Sequence, residues 1–496
     1  MNRKISGRGI LLILAGASVC VHFFIGEGYG FHRDELVTLD DARHLDWGFV
    51  AYPPVTPFFG RLSLTLFGTS VVGFRFFASL AAAISIVVTG MIARELGGAR
   101  TAQIIAGVAV IPFALVCGAL MQYVAFDYLC WVLTAYFVAR LIRSGNPRWW
   151  IAIGCALGFG MLTKYSILFL IAGLVMGVLL TQLRSNLASK WLWLGAGCSI
   201  LIFLPNLLWQ INHNFISLDF LRHIHERDVR IGRTKDFLPD QLLLTLGGFP
   251  LALAGLYFYF FRRDFSRFRA LGWMYITPFV LFLVAQGRGY YLAPAYPILY
   301  AGGAVWLEQI VAGVGMMWSR TIVAVVSIAL TITIVLTAAV ALPIAPINSE
   351  WWRFASNING DLPEEIGWPD LVDQIAKIRD GLPPNEQQQL GILAGNYGEA
   401  GAINLYGPSR NLPRAISGVN SLWQRGYGDP PPQTLIVVGL SPQFVEKHFD
   451  SFTAVARQSN RYGVVNEETS GERYIYLCRG LREPWPEFWR KFQRYG

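Results

Sequence analysis

The sequence predicts an all-α protein threaded many times through a membrane, followed by a C-terminal α/β domain. Three observations predict it. Of 496 residues, 54% are hydrophobic and 15% charged, with a mean hydropathy of +0.42, whereas a soluble domain carries about 25% charged residues. Apolar runs recur between residues 10 and 342, and a run of about 20 residues suffices to cross a hydrocarbon core about 30 Å thick. From Asn348 onward the composition becomes that of a soluble domain, punctuated by Pro383-Pro384 and Pro430-Pro431-Pro432. The expected domains are therefore 1–345, a membrane domain whose first loop spans 26–70, and 346–496.

Taken in order, the apolar runs give about eleven spans. They are 10–25, 71–93, 102–120, 124–142, 149–162, 167–183, 191–209, 242–261, 270–285, 292–310 and 321–342. The first follows Arg3, Lys4 and Arg8 in the manner of a signal peptide, but without a convincing small-residue cleavage site it reads as a retained helix. Placing alternate connections in the cytoplasm gathers Arg94 and Arg100, then Arg140, Arg143 and Arg148, then Arg184 and Lys190. Arg262, Arg263, Arg267, Arg269 and Arg320 join them on the same side, as the positive-inside rule requires. The net charge of +9 is thus a matter of topology, and no nucleic-acid partner is implied. The N-terminus is expected in the cytoplasm of a cell bounded by this plasma (inner) membrane. An odd number of spans then puts the tail outside, with the loops 26–70 and 210–241 and the connection 286–291.

The fifth span is short and its connection to the sixth is only Thr163 to Ser166, so Lys164 belongs either at the outer rim or inside the bundle. In the tail, 389–393 and 434–438 read as buried strands and 370–379 as a helix. Five cysteines lie in apolar runs and only Cys478 lies in the tail, which gives neither a disulfide framework nor a zinc spacing.

The candidate chemistry lies on the outer side. The first loop carries His32-Arg33-Asp34-Glu35, Asp40-Asp41, Asp46-Trp47 and Tyr52-Pro53-Pro54, interleaved with Phe31, Leu36, Leu39, Leu45 and Phe49. That interleaving predicts short helices lying on the bilayer face. Asp34 and Glu35 could equally cap such a helix or form a site.

These residues resemble the bacterial branch of the dolichyl-phosphate-mannose protein mannosyltransferase family, with its aminoarabinose-transferase-like relatives. The likeness rests on His32-Arg33-Asp34-Glu35 after the first span, on Ala42-Arg43-His44-Leu45-Asp46-Trp47-Gly48 leading to Pro53-Pro54, and on Leu66-Phe67-Gly68-Thr69-Ser70 before Arg75. It continues through Leu162-Thr163-Lys164-Tyr165-Ser166, Leu204-Pro205-Asn206-Leu207-Leu208-Trp209 and Tyr290-Tyr291-Leu292-Ala293-Pro294-Ala295-Tyr296-Pro297. The resemblance implies the membrane glycosyltransferase C (GT-C) fold and transfer of a sugar from a polyprenyl phosphate to a glycan, lipid or protein acceptor.

Carried onto this chain, the resemblance makes Asp34 the general base or acceptor-orienting carboxylate, with Glu35 as second choice. A carboxylate suits an acceptor hydroxyl that must lose a proton. Direct displacement inverts the anomeric centre and needs no second catalytic carboxylate. Lys164 and Arg288 would meet the lipid phosphate, since positioned cations stabilise developing negative charge, and Tyr291 could hydrogen-bond it. Each could instead be structural, with Lys164 snorkelling, Arg288 solvating a loop and Tyr291 anchoring at the interface. Asp127 would orient the sugar or pair with Lys164 or Arg75, because intramembrane charge demands a partner. Tyr52 replaces a basic residue that relatives often carry before the Pro-Pro pair, and Arg61 could compensate.

No cofactor is required by this scheme. His223, His225 and Glu226 could hold a divalent cation, but their spacing matches no strong ligand signature, and the loop 210–241 reads better as a substrate cover. Asn396-Tyr397-Gly398-Glu399-Ala400-Gly401-Ala402 reads as a strand-to-helix turn rather than a phosphate cradle. Two rivals remain at this stage. A lipid-linked sugar flippase or transporter would show inverted repeats, and no internal symmetry is visible. A polymerase or ligase would use a diphosphate-linked oligosaccharide, so the donor discriminates it.

Overall fold

The computed structural model describes residues 6–471 and 473–496. Arg3 and Lys4, the basic flank of the first expected span, lie outside the described residues. Helix α1 (Gly7–Ile25) begins at Ser6, whose hydroxyl accepts the Gly9 amide in the usual N-cap manner. The loop after it folds into α2 (Arg33–Arg43) and α3 (Val55–Phe67), as its hydrophobic interleaving predicts. The bundle continues with α4 (Val71–Glu95), α5 (Arg100–Gly118), α6 (Tyr123–Ser144), α7 (Trp149–Met161), α8 (Ile167–Leu180) and α9 (Lys190–Asn212). It is completed by α10 (Ile216–Arg230), α11 (Phe237–Thr245), α12 (Phe249–Phe261), α13 (Arg269–Val284), α14 (Tyr296–Gly313) and α15 (Met316–Ala341).

Among the described residues, eight helical segments are long and apolar enough to cross a membrane, or nine if α8 and the 98° turn after it count as one. All eleven expected runs form helices, and those at 149–162 and 292–310 fall short of that length or apolarity. Helix α7 has only 13 residues, about 20 Å of rise. In α14 the polar pair Glu308 and Gln309 interrupts the apolar run, because Glu308 accepts the Ala99 and Ala102 amides at 2.6 and 3.0 Å and anchors the start of α5. The short α7 still packs tightly on α9, since a Cβ added at Gly195 or Gly154 would strike the facing backbone. At that same end Arg140 and Arg143 converge on Glu95, at 3.1 and 3.6 Å.

The C-terminal part contains α16 (Glu350–Ile358), α17 (Trp368–Asp380), α18 (Pro384–Gln388), β1 (Leu390–Ala394), α19 (Tyr397–Tyr406) and β2 (Ala415–Ser417). It continues with β3 (Thr434–Val438), α20 (Pro442–His448), β4 (Phe449–Arg457), β5 (Tyr474–Leu481) and α21 (Trp485–Phe492). The five strands run in the order β2-β1-β3-β5-β4. Strand β1 is parallel to β2 and β3, and β5 is antiparallel to β3 and β4. β1 and β3 are buried throughout, which explains their unbroken apolar runs where a half-exposed strand would alternate.

One face of the sheet, with Leu393, Leu435 and Val437, packs on Phe488, Trp489 and Phe492. The other, with Ile392, Ile436 and Val438, joins the bundle core through Ala400, Ile403, Leu36 and Leu39. The C-terminal sheet is therefore seated on α2, the helix that carries the acidic motif.

Candidate functional site

The motif His32-Arg33-Asp34-Glu35 is the N-terminus of α2, and its four side chains point to four different tasks. His32 caps the helix. Its Nδ1 accepts the Asp34 amide at 3.1 Å while its own amide donates to Glu35 Oε2 at 2.9 Å, a reciprocal capping box. Arg33 turns to the C-terminal domain, pairing with Glu467 and lying 3.9 Å from Glu364 and 3.7 Å from Glu468. Its guanidinium also stacks on the Tyr397 ring, 4.7 Å from the centroid. Glu35 turns inward and is fully buried. It accepts Arg75 Nε and Nη2 at 2.9 and 2.6 Å and the Met121 amide at 2.8 Å.

Asp34 alone of the four faces open space, its side chain 42% exposed. Tyr397 donates to its Oδ1 at 2.8 Å and Gln122 Nε2 to its Oδ2 at 2.9 Å. Helix α2 carries four carboxylates, and the other three are each matched by an arginine. Glu35 has Arg75, while Asp40 and Asp41 share Arg425 from the C-terminal domain. No arginine or lysine forms an ion pair with Asp34 among the described residues, although the Arg33 charge acts on it from further away. His32 Nδ1 stands 4.0 Å from it, but that nitrogen is an acceptor from the Asp34 amide and cannot be a charged donor as well. Asp34 is thus oriented by two neutral donors.

The residue after Gln122 leads to the second half of the site. Tyr123 shares an electrostatic environment with Asp34, and its ring also faces Lys164. The Lys164 ammonium sits 4.8 Å from the Tyr123 centroid, 5.3 Å from Tyr290 and 4.5 Å from Tyr291, a three-tyrosine cage. The connection that carries Lys164 is fixed on both sides. Tyr165 donates to Asn206 Oδ1 at 3.0 Å and accepts from Gln210 at 2.8 Å, while Asn206 Nδ2 donates to the Trp47 carbonyl at 2.7 Å. Asp46 Oδ2 accepts Trp209 Nε1 at 2.7 Å. The separated motifs around Trp47, Lys164 and Trp209 therefore meet in one place.

Asp127 is buried and accepts Trp131 Nε1 at 3.1 Å and Ser166 Oγ at 3.3 Å. It acts electrostatically on Lys164, whereas Arg75 is occupied by Glu35, by Glu365 at 3.1 Å and by two backbone carbonyls. Arg288 pairs with Asp228 of α10, with Nε 2.6 Å and Nη2 2.5 Å from Oδ2. Arg227 and Arg233 reach the other oxygen of Asp228 at 3.5 and 4.0 Å. The loop 210–241 thus closes over the Arg288 side of the cage, with three cations around one carboxylate.

Tyr52 adjoins the site, its ring 6.2 Å from that of Tyr123. Tyr52 is buried and donates to Asp41 Oδ2 at 2.7 Å, and burial with the Asp41 charge holds its hydroxyl well above its ordinary pKa. Arg61 is exposed on α3, with no side-chain partner among the described residues. His223 lies beside Tyr495, 5.8 Å between ring centroids. Among the described residues no three or more His, Cys, Asp or Glu side chains cluster to hold a metal ion. Gln122 and Tyr123 escaped sequence reasoning because they sit at the start of an apolar run that reads only as a span. Tyr397 stands in a recognised turn, Asn396 and Glu399 forming a capping box at the start of α19, but nothing in the sequence joins it to Asp34.

The whole arrangement is similar to the crystal structure of ArnT from Cupriavidus metallidurans in the apo state, with TM-score 0.59 and 17% identity over 94% of this chain and 97% of that one. The structure of the same ArnT bound to undecaprenyl phosphate gives TM-score 0.54 at the same identity and coverage. The fold is that of the membrane glycosyltransferases of the C class. Residues 51–209 match the family model described as dolichyl-phosphate-mannose-protein mannosyltransferase, so the family resemblance carried by the motifs is found in the segment that holds Tyr52, Asp127 and Lys164. No curated protein matches the chain in sequence.

Proposed function

We propose that this protein is an inverting glycosyltransferase that moves a sugar from a polyprenyl phosphate to an acceptor hydroxyl on a glycan, lipid or protein. The acceptor oxygen attacks the anomeric carbon as the bond from that carbon to the phosphate oxygen breaks. Asp34 takes the hydroxyl proton, and the polyprenyl phosphate leaves with the bonding electrons. The observation that carries this reading is the half-exposed carboxylate of α2 that forms no ion pair with an arginine, with Tyr123 within electrostatic reach of it and against the caged Lys164 ammonium.

Lys164 and Arg288 stabilise the phosphate as its charge develops, Arg288 by releasing part of its contact with Asp228. Tyr291 hydrogen-bonds a phosphate oxygen, and Asp127 holds the connection of Lys164 through Ser166. Glu35 serves the architecture through Arg75. The ArnT relative crystallised with undecaprenyl phosphate supports the donor class. In this reading the reaction face lies on the non-cytoplasmic side of the plasma membrane, with the N-terminus in the cytoplasm and the C-terminal domain, 346–496, outside, as the distribution of basic connections supports.

The test is lipid analysis of membranes from cells carrying the wild type or Asp34→Asn. The variant is expected to accumulate one polyprenyl monophosphate sugar and to lose one glycoconjugate while remaining stably produced. Wild-type levels of every lipid-linked sugar in a stably produced variant would remove Asp34 from the reaction. A diphosphate-linked oligosaccharide accumulating instead would make the protein a polymerase or ligase.

A further inference from the structure

We infer that Tyr397 of the C-terminal domain is a positioning residue for the Asp34 carboxylate, so that this domain completes the catalytic face and does more than cover it. The inference rests on the assignment of Asp34 given above.

The two oxygens of Asp34 are held from two separate parts of the chain. Gln122, at the start of α6, holds Oδ2 at 2.9 Å, and the Tyr397 hydroxyl, on the first turn of α19, holds Oδ1 at 2.8 Å. One donor on each oxygen fixes the rotation of the carboxylate plane, which a single donor leaves free. Tyr397 is a neutral donor, so its bond orients the carboxylate without forming an ion pair. A phenol has one proton to give, and burial, followed by the nearby Asp34 charge, holds Tyr397 well above its ordinary pKa. The hydroxyl therefore stays a donor.

The placement of that hydroxyl is built in several ways. The capping box of Asn396 and Glu399 fixes where α19 starts. Arg33 lies against the Tyr397 ring and is itself secured by Glu467 and Glu468. Helix α19 approaches α2 so closely that a Cβ on Gly401 would stand 2.7 Å from the Leu36 carbonyl carbon, a distance real side chains do not adopt. Close approach of α19, stacking by Arg33 and the cap all converge on one hydroxyl and the one unmatched carboxylate. Domain adhesion alone does not need that hydroxyl, since the apolar contacts and the arginine pairs already join the two parts.

Tyr397→Phe removes only the hydroxyl and leaves the ring, its stacking and its packing. The assay uses the purified full chain in detergent with a solubilised extract of whole envelopes from cells lacking the enzyme, which supplies donor together with lipid, glycan and protein acceptors, reading released polyprenyl phosphate by mass spectrometry. A lost hydrogen bond to a charged group predicts a fall in maximal rate of roughly tenfold to a hundredfold, with unchanged half-saturating extract and an unchanged melting temperature. A maximal rate within about twofold of wild type would overturn the inference while leaving the proposed function standing, provided Asp34→Asn is inactive in the same assay. A slower variant that also melts early or needs more donor for half-saturation would make Tyr397 a structural residue, which overturns the inference as well. Full activity of Asp34→Asn, or no release by the wild type, would instead sink the functional reading beneath it.

Discussion

Replacing Arg75 by methionine offers the sharpest test of how the motif helix is held. Arg75 is 3% exposed, and its guanidinium makes five hydrogen-bond contacts. Two reach Glu35 at 2.9 and 2.6 Å, one reaches Glu365 at 3.1 Å, and two reach the Gly26 and Gly30 carbonyls at 2.9 Å. Methionine fills much of the volume but removes the cation from two buried carboxylates and the donor from two carbonyls. Breaking a buried pair in this way costs about 3–5 kcal/mol, because the remaining charge is uncompensated. Each freed carbonyl adds up to about 1–3 kcal/mol where water cannot reach it. Proton uptake by Glu365, whose pKa burial already raises to about 7, offsets part of this. A net loss of about 4 kcal/mol is expected. It should appear as early unfolding in detergent and as fast hydrogen exchange in α2 and in residues 363–365. The triple variant Arg75→Met, Glu35→Gln, Glu365→Gln carries no buried charge and should recover most of the loss. Wild-type melting and exchange in Arg75→Met alone would refute the reasoning, since the clamp would then contribute nothing.

Two further outcomes follow from the site and its docking surface. Lys164→Met should weaken binding of undecaprenyl phosphate, measured by titration in detergent, and lower turnover about a hundredfold, as for loss of a charge-stabilising donor; unaltered affinity would place the phosphate elsewhere. Glu364 and Glu365, where the C-terminal domain meets the loop after α1, both have pKa values raised to about 7, chiefly by burial. A carboxyl group raised in the folded state contributes stability that is present at low pH and is lost as pH climbs from the ordinary carboxylate range through about 7. Exchange protection in α2, corrected for intrinsic rate, should therefore be greater at pH 6 than at pH 8, and equal protection would contradict it.

Much of the architecture was legible because it depends on local composition. The spans are long apolar runs, and the buried strands 390–394 and 434–438 are apolar on both faces. Where an expected run is less apolar than its neighbours, a tertiary partner has recruited a polar residue into the helix, as Glu308 of α14 does for the start of α5. The acidic loop announced a site, yet charge and spacing alone left Asp34 and Glu35 equivalent. They lie side by side in sequence but project about 100° apart around a helix. One consequently meets Arg75 in the core while the other meets solvent, Gln122 and Tyr397.

By itself, then, the sequence determined that the chain is a helical membrane protein with a C-terminal sheet, and that its unusual polar residues gather around a few motifs. Hydrophobicity and short-range pattern suffice for that, since solvent choice and helix period act residue by residue. Only the tertiary structure decided which carboxylate keeps no arginine, which tyrosines surround Lys164 and that α19 reaches α2. Those facts depend on partners as far apart in the chain as Asp34 and Tyr397, and nothing in either neighbourhood encodes the distance between them.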